Sequence, residues 1–106
     1  MKALFMTLAA AVLFLTVAPA AALADHNLTI TNNGDHTIEY IYISAVDSDE
    51  WGNDWLDSDQ VLGSDQHITF TIQSGCDQDI KVVYMNGHSD VTRNFDTCQY
   101  DLRLNY

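Results

Sequence analysis

The chain has 106 residues, of which fifteen are acidic and only four are Lys or Arg, so its formal net charge is −11. A field of this sign disfavours nucleic acid as a partner and favours a metal cation or a basic protein. The four histidines and two cysteines are scattered along the sequence and do not show the ligand spacing of a transition-metal centre.

The N-terminus has the three parts of a cleavable signal peptide. Met1-Lys2 is a short basic start, residues 3–17 are apolar, and small residues lead up to Ala24. The apolar run is too short for a convincing membrane span. We therefore expect residues 1–24 to be removed, leaving a periplasmic or secreted domain over 25–106 with no membrane span. Without Lys2, three basic residues oppose fifteen acidic ones, a net charge of −12.

Two strands are predicted at the start of this domain. The first, Leu28-Thr29-Ile30-Thr31, ends at the turn Asn32-Asn33-Gly34-Asp35. The second covers residues 37–45 and is rich in Ile and Tyr. We therefore expect both faces of the second strand to be partly covered.

The stretch that follows, residues 47–59, is the candidate binding site and is called the acidic segment below. It holds six carboxylates in thirteen residues and has no Lys or Arg. Hard cations such as Ca²⁺ take several oxygen ligands, and crowded carboxylates relieve their mutual repulsion by binding one. The predicted ligands are Asp47, Asp49, Glu50 and Asp54. The alternative is a solvated loop without an ion, whose Trp51 and Leu56 pack inward.

A strict period of two predicts a strand over residues 67–73, with alternate side chains on a buried face. The same period recurs over residues 100–106. The residues expected to be buried are Ile68, Phe70, Ile72, Tyr100, Leu102 and Leu104. Those expected to face outward are Thr69, Thr71, Asp101 and Arg103.

Between these strands, Asn86-Gly87 predicts a hairpin that joins strands over 79–85 and 91–95. A three-residue loop at 86–88 places Met85 opposite Ser89 and, in the same register, Cys76 opposite Cys98. A two-residue loop misses this match by one position, which a single bulge can absorb. Export also favours a Cys76–Cys98 disulfide, which would leave no free thiol and stabilise by roughly 3 kcal/mol. Six or seven short strands predict a single small antiparallel β-sandwich with one disulfide.

A set of spaced residues runs along the whole domain: Asn32 at the end of the first strand, Trp51-Gly52 followed by Leu56, Gly63 before a strand, Cys76, Asp79-Ile80-Lys81, the turn residue Gly87, and Cys98. In this pattern the chain resembles a family of small exported bacterial β-domain proteins of unknown function. The resemblance implies a compact, disulfide-bonded β domain and no particular reaction. A weaker similarity, to periplasmic lanthanide-handling proteins, carries over no ligands.

These patterns favour a binding protein over an enzyme. No serine has the surroundings of a nucleophile elbow, and no catalytic residue is predicted. The leading hypothesis is a binder of Ca²⁺ or a lanthanide ion at the acidic segment, for which a metal-dependent homodimer is a further expectation. The alternative is a structural or protein-interaction module, such as an inhibitor, whose acidic face meets a basic partner without any metal.

Overall fold

The computed structural model describes residues 25–106, so the predicted signal peptide, residues 1–24, lies outside the described residues. This part of the chain contains strands and no helix, and hence no helix that could cross a membrane. The strands are β1 (His26–Asn32), β2 (Ile38–Ala45), β3 (His67–Ile72), β4 (Asp77–Tyr84), β5 (Ser89–Asp96) and β6 (Leu102–Leu104). The predicted all-β class is confirmed.

The strands form two three-stranded sheets, in the orders β3-β1-β6 and β2-β4-β5. Three of the four pairings are antiparallel, as expected. The exception is β6, which runs parallel to β1 with Leu102 opposite Ile30. The chain leaves the second sheet at the end of β5 and crosses to the first over residues 97–101. Because it crosses at the end where β1 begins, β6 runs in the direction of β1.

Alternating apolar side chains from both sheets form one core. Ile30 of β1 and Val82 of β4 are both almost completely buried, and Ile68 and Phe70 pack partly buried against the same cluster. Tyr100 was expected there but is 60% exposed, because it lies in the crossover before β6 begins and its ring contacts Phe95 instead. The buried apolar residues are Leu28, Ile30, Ile38, Ile41, Ile43, Leu56, Leu62, Ile72, Ile80, Val82, Tyr84, Leu102 and Leu104.

The β4–β5 hairpin turns one residue earlier than predicted. The backbone N–H of Tyr84 donates to His88, and Val83, not Met85, lies opposite Ser89. The ladder then shifts between Gln78 and Ile80, where β5 contains one extra residue. This bulge corrects half of the two-position offset and leaves Cys76 hydrogen-bonded to Thr97, one residue before Cys98. The predicted Cys76–Cys98 disulfide still forms, with its Cα atoms 5.1 Å apart.

The linker between β2 and β3, residues 46–66, covers the free edge of β2. Its Trp55 donates a backbone hydrogen bond of 2.7 Å to Ile41, and Leu62 exchanges two of 2.9 Å with Ile38. The buried Asn32 side chain holds the linker from the other sheet by donating to the Leu62 carbonyl. An edge covered in this way cannot pair with another chain.

Candidate functional site

A polar pocket of about 260 Å³ lies where the acidic segment meets the outer surface of the β2-β4-β5 sheet. We call it the Trp51 pocket. One wall comes from the start of the linker and the other from β2, β4 and β5. Its lining residues are Ser44, Ser48, Asp49, Glu50, Trp51, Asp79 and Arg93.

The floor of the pocket is built on the β5 bulge. Asn94 has a φ of 53° there, and its backbone N–H donates to the Asp79 carboxylate over 3.0 Å. The other Asp79 oxygen accepts a 2.9 Å hydrogen bond from Arg93 Nη1. Chiefly because of the Asn94 N–H, and further because of Arg93, the pKa of Asp79 lies below its ordinary value, although burial opposes the shift. The Arg93 side chain is anchored at one end yet remains 61% exposed.

The indole of Trp51 brings two cationic side chains together. The Arg93 guanidinium carbon lies 5.1 Å and the Lys81 ammonium 5.9 Å from the centre of the Trp51 ring, within cation–π range. Lys81 also lies 5.9 Å from the ring of Tyr42, its partner across β2 and β4. Burial, with smaller contributions from Asp54 and Tyr40, raises the pKa of the Tyr42 hydroxyl.

The structure separates the four predicted metal ligands. Asp49 and Glu50 line the Trp51 pocket, and Asp47 lies in the preceding turn with a φ of 70°. Asp54 has a different role, because its Oδ1 accepts backbone hydrogen bonds from Ile41 (2.9 Å) and Leu56 (3.0 Å). That carboxylate fastens the linker to the edge of β2, and it is the residue of the predicted set whose oxygen is already committed to the fold.

Within residues 25–106, no three of these carboxylates bring oxygen atoms within 4.8 Å of one another. The group that meets this distance there is Cys76, Asp96 and Cys98, whose two sulfur atoms are joined in the disulfide and cannot ligate an ion. Any ion at the acidic segment would therefore have to draw the ligands together. The four-ligand set stays a prediction.

The loop around Asp49 and Glu50 is nevertheless held in place. The hydroxyls of Ser44 and Ser48 both donate to the Glu50 carbonyl, over 3.1 and 3.0 Å. In the described part of the chain, the ion pairs are Arg93–Asp79 and His88–Asp90, so no basic side chain neutralises Asp47, Asp49 or Glu50. The arrangement presents uncompensated carboxylates beside hydroxyl oxygens, a surface suited to a positively charged ligand.

The alternative for the acidic segment was a solvated loop in which both Trp51 and Leu56 pack inward. Leu56 is buried, whereas Trp51 packs on the outside of the sheet. Reasoning from sequence also missed Lys81, Arg93 and Asp79 as parts of the site. The available signal was the strand alternation, which places Lys81 and Asp79 on the outward side of β4.

The histidines lie apart from this site, and two of them meet at the opposite end of the sandwich. His36 and His88 stack on Tyr106, with ring centres 4.4 and 3.9 Å from it. His88 also pairs with Asp90 over 3.0 Å. Beneath them Tyr84 is buried, which, with the neighbouring Asp90 carboxylate, raises its pKa to about 12. This cluster ties the hairpin to the end of the described chain.

No family model, curated protein or solved structure shows a significant match to this chain. The resemblance to small exported β-domain proteins therefore stays a prediction, carried by the residues that suggested it. Among those residues, Asn32 holds the linker, Asp79 caps the bulge, Cys76 and Cys98 form the disulfide, and Leu56 and Ile80 are buried in the core.

Proposed function

We propose that the chain is an exported, non-enzymatic binding protein that captures a hard cation, Ca²⁺ or a lanthanide ion, at the Trp51 pocket. The observation that carries the proposal is the pair of uncompensated carboxylates, Asp49 and Glu50, that line one pocket with Ser44 and Ser48. All four side chains offer oxygen, the ligand atom that hard cations prefer.

The pocket changes the ligand set that the sequence suggested. Asp49 and Glu50 are retained, Asp47 is close enough along the chain to join by a turn movement, and Asp54 is left to its structural role. Arg93 opposes a cation by its charge, but Asp79 already compensates it. A site with so few protein ligands would leave coordination positions to water, and the affinity should be moderate.

Export is part of the same proposal. A leader-like N-terminus and a disulfide within an 82-residue domain, residues 25–106, fit a periplasmic or secreted location. Cleavage after Ala24 and a periplasmic or secreted destination would be shown by the intact mass of protein recovered from the exported fraction.

Terbium luminescence tests the cation site. Trp51 lines the pocket whereas Trp55 packs edge-on against Phe70. Excitation of tryptophan should therefore sensitise Tb³⁺ emission that saturates at one ion per chain. Trp51→Phe should remove most of this emission, and Trp55→Phe should retain it.

A matched pair of double variants separates a site from a diffuse acidic surface. Asp49→Asn with Glu50→Gln should weaken Tb³⁺ binding by about tenfold or more, because both pocket carboxylates are lost. Asp57→Asn with Asp59→Asn removes the same charge from elsewhere in the acidic segment and should change the affinity by about twofold at most. Equal effects of the two pairs, or emission that never saturates, would reject the pocket.

A second candidate function is favoured by the separation of the carboxylates, no three of which bring oxygen atoms within 4.8 Å of one another in residues 25–106. A basic protein partner could meet Asp47, Asp49 and Glu50 without drawing them around one point. The chain would then be an interaction module, indifferent to Ca²⁺ and Tb³⁺. Unfolding curves with and without cation distinguish the two functions, because only a bound ion raises the free energy of unfolding.

A further inference from the structure

The outer surface of the β2-β4-β5 sheet combines exposed apolar side chains with basic ones. Tyr42, Lys81 and Val91 form one row across its three strands, with Tyr40 beside them. Val91 is 47% and Tyr40 is 39% exposed, so this sheet leaves apolar area open to solvent. We call this surface the aromatic–cationic face. Its residues are Tyr40, Tyr42, Trp51, Lys81, Val91 and Arg93.

The charge on this face is opposite to that of its surroundings. Residues 25–106 contain fifteen acidic and three basic side chains, and two of the three, Lys81 and Arg93, lie on the aromatic–cationic face. Asp79 compensates Arg93, whereas Lys81 has no carboxylate partner in the described part of the chain. The face is complementary to a surface that combines exposed acids with apolar groups.

The chain itself carries such a surface directly beside this face. Asp47, Asp49 and Glu50 are exposed and have no ion-pair partner within residues 25–106. Asp49 and Glu50 line the Trp51 pocket at the edge of the aromatic–cationic face, and Asp47 lies two residues earlier in the chain. A patch with cations in one half and anions in the other is complementary to its own copy after a twofold rotation. Two copies would place each acidic turn against the Lys81 side chain of the other.

The geometry points to a second copy of this chain as the occupant of the aromatic–cationic face, in a twofold dimer that needs no metal. The inference goes beyond cation capture and uses Lys81, which the cation site does not. At about 0.15 M salt the Debye length is about 8 Å, so repulsion between the distant acids of two copies is largely screened while contacting charges still attract. A weak, concentration-dependent dimer is expected.

Charge reversal with complementation tests this contact by sedimentation velocity in chelator at 0.15 M salt. Lys81→Glu should weaken self-association by about tenfold or more, and so should Asp49→Lys with Glu50→Lys, because each variant places like charges together. An equimolar mixture should restore the wild-type affinity, because each reversed acid or base then meets its complement on the other chain.

Arg103→Glu is the matched control, since it makes the same charge change on the outward side of β6 and should leave self-association unchanged. Concentration-dependent NMR shifts of Tyr42 and Val91 in the wild-type chain give the same test without a variant. Wild-type protein that stays monomeric to about millimolar concentration, or a mixture that associates no better than its components, would overturn the inference. Because chelator is present throughout, neither result depends on the cation site.

Discussion

The two sheets have contrasting outer surfaces. On β3-β1-β6 the exposed side chains are mainly short and polar, and they bond to one another: Thr29 shares a 2.8 Å hydrogen bond with Thr69, and Thr71 donates to Asn27 over 3.3 Å. We call this the threonine face. On β2-β4-β5 the aromatic–cationic face carries large rings and two basic groups, and it borders the Trp51 pocket.

This difference shows what each surface is suited for. Side chains on the threonine face satisfy each other and present little apolar area, which is typical of a sheet that faces only water. The aromatic–cationic face keeps Val91 and Tyr40 exposed and holds Lys81 and Arg93 in place with Trp51. Large exposed apolar groups with ordered charges around them are characteristic of binding surfaces.

The largest expected loss of stability comes from removing the disulfide, which ties together the ends of β4 and β5 in the sheet that carries the aromatic–cationic face. Replacing Cys76 and Cys98 by Ser should lower the free energy of unfolding by about 3 kcal/mol, since the bond closes a loop of 22 residues. Denaturant unfolding followed by fluorescence gives the value. An unfolding free energy unchanged in the double variant would show that the β4–β5 end is held by other contacts.

A somewhat smaller loss is expected at Asp54. Asp54→Ala leaves the backbone N–H groups of Ile41 and Leu56 without their acceptor and should cost about 1–3 kcal/mol. Asp54→Asn keeps an oxygen acceptor and should cost much less. Neither change should alter the Tb³⁺ affinity of the variants that remain folded. A weakened Tb³⁺ affinity in Asp54→Asn would instead restore Asp54 to the ligand set.

The two faces can be compared directly by truncating one side chain on each. Trp51→Ala removes the ring that Lys81 and Arg93 share and should cost about 1 kcal/mol or more, from lost cation–π contact and packing. Thr69→Ala on the threonine face should stay within about 0.5 kcal/mol. Thermal unfolding of the two variants measures both. A larger loss of stability in Thr69→Ala than in Trp51→Ala would contradict the contrast drawn between the two faces.

The smallest expected effect is a dependence of stability on acid pH through Asp79. Its folded pKa lies below the ordinary value of 3.8, so ionised Asp79 stabilises the fold above that pH, and the contribution is lost as the pH falls through the folded pKa. Asp79→Asn should therefore flatten the acid side of the stability curve. Parallel curves for wild type and Asp79→Asn would contradict the role of the bulge carboxylate.

Much of the fold could be predicted from local pattern. The period of two predicted β3 and β6, and Asn-Gly predicted the hairpin. The hairpin register and the expectation of export together predicted the disulfide. The predicted fold differs from the structure where long-range packing determines how a segment is placed. The alternation over residues 100–106 predicts a buried Tyr100, but this residue lies before β6 begins and is exposed. The parallel pairing of β1 with β6 depends on where the chain crosses between the sheets.

The site was less predictable for the same physical reason. The run of acids predicted Asp49 and Glu50 as metal ligands, which stays a prediction, and both residues line the Trp51 pocket. Sequence spacing could not show that Asp54 turns its carboxylate to the backbone of β2. Lys81 and Arg93 are far from Trp51 in the sequence. They meet it only through the β2–β4 register and the β5 bulge, neither of which local propensity specifies.

A titration of isotopically labelled protein with La³⁺, followed by amide NMR shifts, tests the central claim most directly. The account predicts saturating shifts for Ser48, Asp49 and Glu50 at one ion per chain, with Thr29 and Thr69 on the threonine face unmoved. Shifts that grow linearly with La³⁺, spread over acidic residues all along the chain and never saturate, would contradict it.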